Sequence, residues 1–164
     1  LGDSFAGLSI LEKKIKVNNS LFKYFENKYY LPSIHLALSN KLLTFANTSM
    51  DISDGLITDL EKLINRQKLS FKLNLDNIPI SKNLKELLNK KKMKKNIYIS
   101  KGDDYQILFS SSKKNRNYIQ KISKRINQKI TLIGNITYKY KQRKLINHKN
   151  QLKSLNYEGY LHKF

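Results

Sequence analysis

Two short acidic turns are the places where this sequence could do chemistry. The stretch SMDISDGLITDLEKL, residues 49–63, holds Asp51, Asp54, Asp59 and Glu61 around Gly55. The stretch KGDDYQILF, residues 101–109, holds Asp103 and Asp104 behind Gly102. The chain has seven Asp, and four of them, Asp51, Asp54, Asp103 and Asp104, cluster in these turns. Two carboxylates three residues apart, beside the free N–H groups of a helix start, can hold Mg²⁺ while those N–H groups and the Ser53 hydroxyl meet phosphate oxygens. Mg²⁺ usually takes only one or two carboxylates plus substrate phosphates, so a small cluster is enough. A purely structural arrangement is equally complete. Ser53 then caps a helix, Asp54 sits in the first turn where the helix dipole favours it, and Asp59 and Glu61 lie on the solvated face. The second turn has the same duality. It is a Gly-Asp turn between strands with Tyr105, Ile107 and Phe109 in the core, or it presents Asp103 or Asp104 to a ligand's cation or a metal. His35, His148 and His162 are too scattered to suggest a metal site. There is no Ser-His-Asp pattern or glycine-rich phosphate loop, and no residue is assigned a catalytic role.

The elements that must position these turns follow from apolar spacing. Ser4 to Lys14 reads as a helix through Phe5, Leu8, Ile10 and Leu11, and SLFKYFENKYY as a second. Pro32 suits the first turn of a third, running through SIHLALSNKLLTFANT. Ser49 to Ile52 is a short extended segment, and from Ser53 a helix carries Leu56, Ile57, Leu60, Leu63 and Ile64 on one face. LSFKLNLD alternates Phe71, Leu73 and Leu75 with polar residues, as a half-buried strand does. SKNLKELLNKK is a short helix. NIYIS and YQILFSS read as extended, flanking the Gly-Asp turn. KKNRNYIQKISKRINQ is an amphipathic helix with Tyr118, Ile119, Ile122 and Ile126 inward, and ITLIGNITYKYKQRKLIN gives strands broken by Gly134. Helices and strands are mixed without strict alternation, so the expected class is α+β with a partly antiparallel sheet.

At 164 residues, 40% apolar, the chain fits one domain, residues 1–164, with enough core to fold. The absence of Cys excludes disulfides and thiolate metal sites. No apolar run reaches membrane-spanning length and the N-terminus lacks a signal-peptide pattern, so a soluble, cytoplasmic protein is expected. The first residue is Leu rather than Met, as in a piece of a longer chain. The net charge of +20 invites a nucleic-acid partner. However, 28 of the 32 basic residues are Lys and only four are Arg, the residue better suited to bidentate base and phosphate contacts. The densest run, NKKKMKKN at 89–96, reads as a solvated loop or helix end. A basic nucleic-acid-binding module therefore stands as the alternative of a different class.

Taken together, five stretches resemble the C-terminal half of thiamine-monophosphate kinase, in the aminoimidazole ribonucleotide synthetase superfamily. LGDSFAGL is similar to the family's Leu-Gly-Asp-Ser-Ala-Ala-Gly-Leu, and MDISDGLITDL to its Ile-Asp-Ile-Ser-Asp-Gly-Leu. GDDYQILF resembles Gly-Glu-Asp-Tyr-Glu-Leu-Leu-Phe, IGNIT resembles Ile-Gly-Arg-Ile-Thr, and GYLHKF resembles the closing Gly-Tyr-Asp-His-Phe. All five occur in family order from Leu1 to Phe164. The resemblance implies a three-layer α/β/α fold with a mixed, partly antiparallel sheet. It also implies a Mg²⁺-dependent transfer of the γ-phosphoryl group of ATP to thiamine monophosphate, giving thiamine diphosphate. Asp51 and Asp54 would bind Mg²⁺ and Ser53 would contact ATP. Asp103 stands where the family's Glu contacts the substrate, and Tyr160 where an aromatic residue contacts the thiamine moiety.

The sequence departs from the family pattern at several points. Asp103 is one methylene shorter than Glu, Lys101 replaces the first Gly of a Gly-Gly pair, and His35 in PSIH occupies a usual Arg position. The tail carries Leu161 and an added Lys163. The resemblance further implies that a separate N-terminal half supplies most metal-binding aspartates and much of the nucleotide site, and that the complete protein is a homodimer. The expectation is that residues 1–164 form the substrate-side domain and are inactive alone. Another ATP-dependent reaction of the same superfamily remains a further alternative.

Overall fold

The structure is a computed structural model that describes residues 1–64, 69–137, 144–146 and 152–153. Its elements run α1 (Asp3–Leu11), α2 (Asn19–Tyr30), α3 (Leu36–Leu42), β1 (Ala46–Ile52), α4 (Leu56–Ile64), β2 (Ser70–Asn74), α5 (Lys82–Lys90), α6 (Lys95–Ile99), β3 (Gln106–Ser111), α7 (Arg116–Arg125), β4 (Gly134–Thr137), β5 (Lys144–Ile146) and β6 (Leu152–Lys153). The strands form two hydrogen-bonded groups. β1 and β3 pair antiparallel, while the others take the order β4-β2-β5-β6. In the second group β2 pairs antiparallel with β4 and parallel with β5. The class is α+β with a mixed, partly antiparallel sheet, as the sequence predicts.

Local chemistry explains most boundaries. Asn18 caps α2 by accepting from Leu21 N–H at 2.9 Å, and Ser81 caps α5 by accepting from Leu84 N–H at 2.9 Å. α4 turns Leu56, Ile57, Leu60 and Ile64 inward onto Phe71 and Leu73 of β2, Ile52 of β1 and Leu108 of β3. A second cluster joins α1, α2, α5 and α6 through Ile10, Phe25, Leu84, Leu87 and Tyr98. A third packs Leu38 of α3 and Phe45 against Ile122 of α7, with Ile107 and Phe109 of β3 alongside. β3 is therefore covered on both faces, by Leu108 on one side and Ile107 and Phe109 on the other.

Several expectations are corrected. α3 does not begin at Pro32 or run to Thr48. It starts after His35, and Ala46 to Thr48 extend β1 because they pair with Ser111 and Ser110 of β3. NIYIS is not extended but forms α6. Tyr98 and Ile99 are both buried there while Ile97 is 40% exposed, a helical pattern rather than an alternating one. Tyr118 does not point inward; it is 43% exposed and only meets Phe45 edge-on at its rim. Gly134 opens β4 rather than breaking a strand.

Truncating a buried ring leaves both lost transfer energy and a cavity. Phe71→Ala, at a position 1% exposed, is expected to cost about 3–5 kcal/mol of unfolding free energy. Leu43→Ala, at a position 97% exposed, is expected to stay within about 0.5 kcal/mol. Urea denaturation of the two variants checks the pair.

Candidate functional site

The two acidic turns, far apart in sequence, are locked together. Asp51 faces Ile107 and Ile52 faces Gln106 across the β1–β3 pair. The pairing continues past the strand ends, where Tyr105 N–H donates to Ile52 O and Asp103 N–H to Ser53 O, both at 2.9 Å. Two glycines permit this approach. Gly55 has φ +114°, and a Cβ there would stand 2.2 Å from Ser100 O. A Cβ on Gly102 would stand 1.9 Å from Ser53 O. At both positions backbone lies directly on backbone, so a side chain has no room.

Asp59 shapes the first turn from inside. It is fully buried, and its Oδ2 accepts from the N–H groups of Ser53, Asp54 and Gly55 at 3.0, 2.9 and 3.1 Å. Lys62 Nζ donates to its Oδ1 at 3.1 Å and also to Asp54 Oδ2. The bond to Asp54 is the main reason the Lys62 ammonium is held above its ordinary pKa. This corrects two expectations. Asp59 is not a surface residue, and Ser53 does not cap α4, which begins three residues later at Leu56. The N–H groups that Asp59 takes are those of Ser53, Asp54 and Gly55, just ahead of the helix. Asp59 stands three residues after Leu56, on the apolar stripe of α4. A carboxylate on a buried stripe was the sequence signal that could have found it.

In the second turn the two neighbours divide. Asp104 is buried and accepts from Gly2 N–H at 2.6 Å and from Ser4 N–H, tying the start of α1 to β3. Burial raises its carboxyl pKa, partly opposed by the chain's amino group and those N–H groups. Asp103 is half-buried, with φ 67°, and Tyr105 has φ 48°; both lie in the left-handed region that is strained for side-chain-bearing residues. Tyr105 is 44% exposed rather than in the core, with its hydroxyl 3.5 Å from Asp103 Oδ1. Burial, then the charges of Asp103 and Asp51, raise the phenol's pKa. The negative charges of both turns thus act on one tyrosine.

Of the residues the sequence singles out, Asp51, Ser53, Asp54 and Asp103 are brought to one place. Asp51 is exposed, Asp54 and Ser53 are half-buried, and the Ser53 hydroxyl has no partner among the described residues. Tyr160 and the rest of the closing GYLHKF lie outside the described residues, as do His148 and His162. Among the described residues no three His, Asp or Glu side chains gather as a metal ligand set. Asp51 and Asp54 carry carboxylate oxygens, the donor type Mg²⁺ commonly takes from one or two carboxylates with phosphates and water completing the shell, and Asp54 is already paired with the Lys62 ammonium. No helix among the described residues is long and apolar enough to cross a membrane.

No protein-family model matches the chain. The thiamine-monophosphate kinase of Buchnera aphidicola subsp. Schizaphis graminum is 37% identical over 156 residues, which are 93% of this chain and 47% of that protein. The chain belongs to the thiamine-monophosphate kinase family and corresponds to its C-terminal half. The solved structure of AaThiL complexed with AMPPCP and TMP superimposes with a TM-score of 0.77 at 26% identity, over 99% of this chain and 48% of that one. Escherichia coli HypE, a hydrogenase maturation protein, shares the fold alone, with a TM-score of 0.64 at 10% identity over 95% of this chain and 46% of that one. The chain thus spans about half the length of the curated relatives it matches.

Asp59→Asn keeps the shape but removes the charge that three N–H groups and Lys62 address. It is expected to cost roughly 2 kcal/mol, the scale of charge-assisted hydrogen bonds. Asp51→Asn, on an exposed side chain, should change stability by no more than about 0.5 kcal/mol, and urea unfolding separates the two. Asp104 gives a pH signature. Its folded pKa is raised, so its contribution to stability is fully present below the unfolded carboxyl value and is lost as pH rises through the folded value. Asp104→Asn, which mimics the neutral acid, should therefore gain stability relative to wild type as pH rises across that window. Paired urea titrations over the acidic range measure the difference.

Proposed function

We propose that this chain is the substrate-side domain, residues 1–164, of an enzyme that transfers the γ-phosphoryl group of ATP to thiamine monophosphate, giving thiamine diphosphate. The observation that carries this is the joining of the two acidic turns, which leaves Asp51, Asp54 and Asp103 at one surface while Asp59 and Asp104 are consumed inside. The AMPPCP and TMP held by a structural neighbour supply the chemical class of the two substrates.

Asp51 and Asp54 would hold Mg²⁺, and Ser53 would offer its hydroxyl to ATP. When bound, Mg²⁺ supplies neutralisation of the charge that develops on the transferring phosphoryl group. The acceptor is a phosphate oxygen already ionised at neutral pH, so positioning replaces a strong general base. Lys62 pairs its ammonium with the Asp54 carboxylate. Asp103 would face the cationic thiazolium ring of the acceptor, and Tyr160 would lend an aromatic face to it. A separate N-terminal half would complete the metal and nucleotide sites, the complete protein would be a cytoplasmic homodimer, and this chain alone would not turn over.

The test is thiamine diphosphate production from ATP, Mg²⁺ and thiamine monophosphate by the chain joined to its N-terminal half. Asp54→Asn is expected to lower the rate on the order of 10²-fold or more, because several kcal/mol of charge stabilisation at a metal correspond to that factor. Undiminished transfer by the variant would remove Asp54 from the metal site, and turnover by residues 1–164 alone would refute the incompleteness of this half.

A further inference from the structure

His35 stands outside both acidic turns, yet its ring is built into the support of one of them. It precedes α3, where its side chain makes no capping bond. Its Nε2 instead lies 2.9 Å from Gln106 Oε1, with which it bonds as an N–H donor. The amide of Gln106 is used at both ends, because its Nε2 donates to Asp104 O at 3.1 Å. The other ring nitrogen, Nδ1, lies 3.3 Å from Gln128 Nε2, in the segment after α7. A single relay therefore runs from Gln128 through His35 and Gln106 to the backbone carbonyl of Asp104. That carbonyl sits between the two left-handed residues Asp103 and Tyr105, the strained part of the turn. Strain of this kind persists only where surrounding contacts over-determine the backbone. Gln128 Oε1 is buried without a partner among the described residues, so this amide leaves its acceptor unused while its donor meets His35.

We propose that His35 is a positioning residue for the Asp103 turn, acting through Gln106 and braced by Gln128, and that it sets how the acidic side chain meets the acceptor substrate. It does not touch substrate itself. Its consequence for the reaction rests on the kinase assignment above, whereas its consequence for the turn does not. A shape-only role for His35, as filler between α3 and β3, would loosen that whole region evenly. A positioning role loosens the turn selectively.

The experiment compares wild type, His35→Ala, Gln106→Leu and the double variant in the chain joined to its N-terminal half. Amide hydrogen exchange reads the turn directly, since the N–H groups of Asp103 and Tyr105 are the ones bonded to Ser53 O and Ile52 O. Each single variant is expected to speed exchange at these two amides about five- to tenfold, the factor that loss of one hydrogen bond commands. Amides of β2 and α5 should be unchanged, and the double variant should be no faster than either single one because the relay is already cut. KM for thiamine monophosphate should rise by a similar factor with KM for ATP unaltered. Unchanged exchange at Asp103 and Tyr105, or an even acceleration across the protein, overturns the positioning role. Absence of kinase activity in wild type would remove the kinase assignment and leave the exchange comparison to decide the relay.

Discussion

The carboxylate of Asp59 is the constraint on which the rest of the site depends. Moving an ionised carboxylate out of water is costly unless its lone pairs are met by donors. Here three successive N–H groups and one ammonium meet them. In return the chain from Ser53 to Gly55 is wrapped around one oxygen atom, and its shape is fixed from within. That shape turns Gly55 against Ser100 and presents Ser53 O to Asp103 N–H. A second turn is thereby placed by an atom it never touches.

The few aspartates of this basic chain divide between support and surface. Asp3 joins three helices, accepting from the Ser81 hydroxyl at the start of α5 and from the Tyr24 hydroxyl of α2. Asp59 and Asp104 hold backbone N–H groups out of solvent. Asp51, Asp54 and Asp103 reach the surface at one end of the β1–β3 pair. The backbone beneath these three is satisfied by the other carboxylates, so none of the three is needed to hold it. Lys62 spans both groups, touching the buried Asp59 and the more open Asp54 at once.

Much of this was legible in the sequence, for reasons that can be stated. α2, α4, α5 and α7 each carry an apolar stripe of helical period, and the alternation of Phe71, Leu73 and Leu75 marks the strand that β2 supplies. The two acidic turns that cluster in the sequence do come together, bringing residues 51, 53, 54 and 103 to one end of the β1–β3 pair. What failed was what depends on distant partners. NIYIS carries residues that favour strands, but an apolar run of five residues has no period to read, and packing of Tyr98 and Ile99 chose a helix. Ala46 to Thr48 follow a helical pattern, yet β3 recruits them as a strand. Ser53 has the composition of a helix cap. It stands three residues before the start of α4, however, out of register with the helical N–H groups that a cap addresses. The relay from Gln128 to Gln106 leaves no mark in one sequence, because its members lie on three separate segments.

The pairing of β1 with β3 also governs when this surface can come into existence. The bond from Tyr105 to Ile52 closes a loop of more than fifty residues, which includes α4, β2, α5 and α6. Closing so long a loop costs chain entropy before any contact repays it, so such pairings tend to form late in folding. During synthesis, the DISDG segment would leave the ribosome long before its partner turn. Through that interval Gly55 and Ser53 would lack the backbone against which they are fitted. The acidic surface is thus a late product of the chain's assembly, made only once residues beyond 105 are available to complete it.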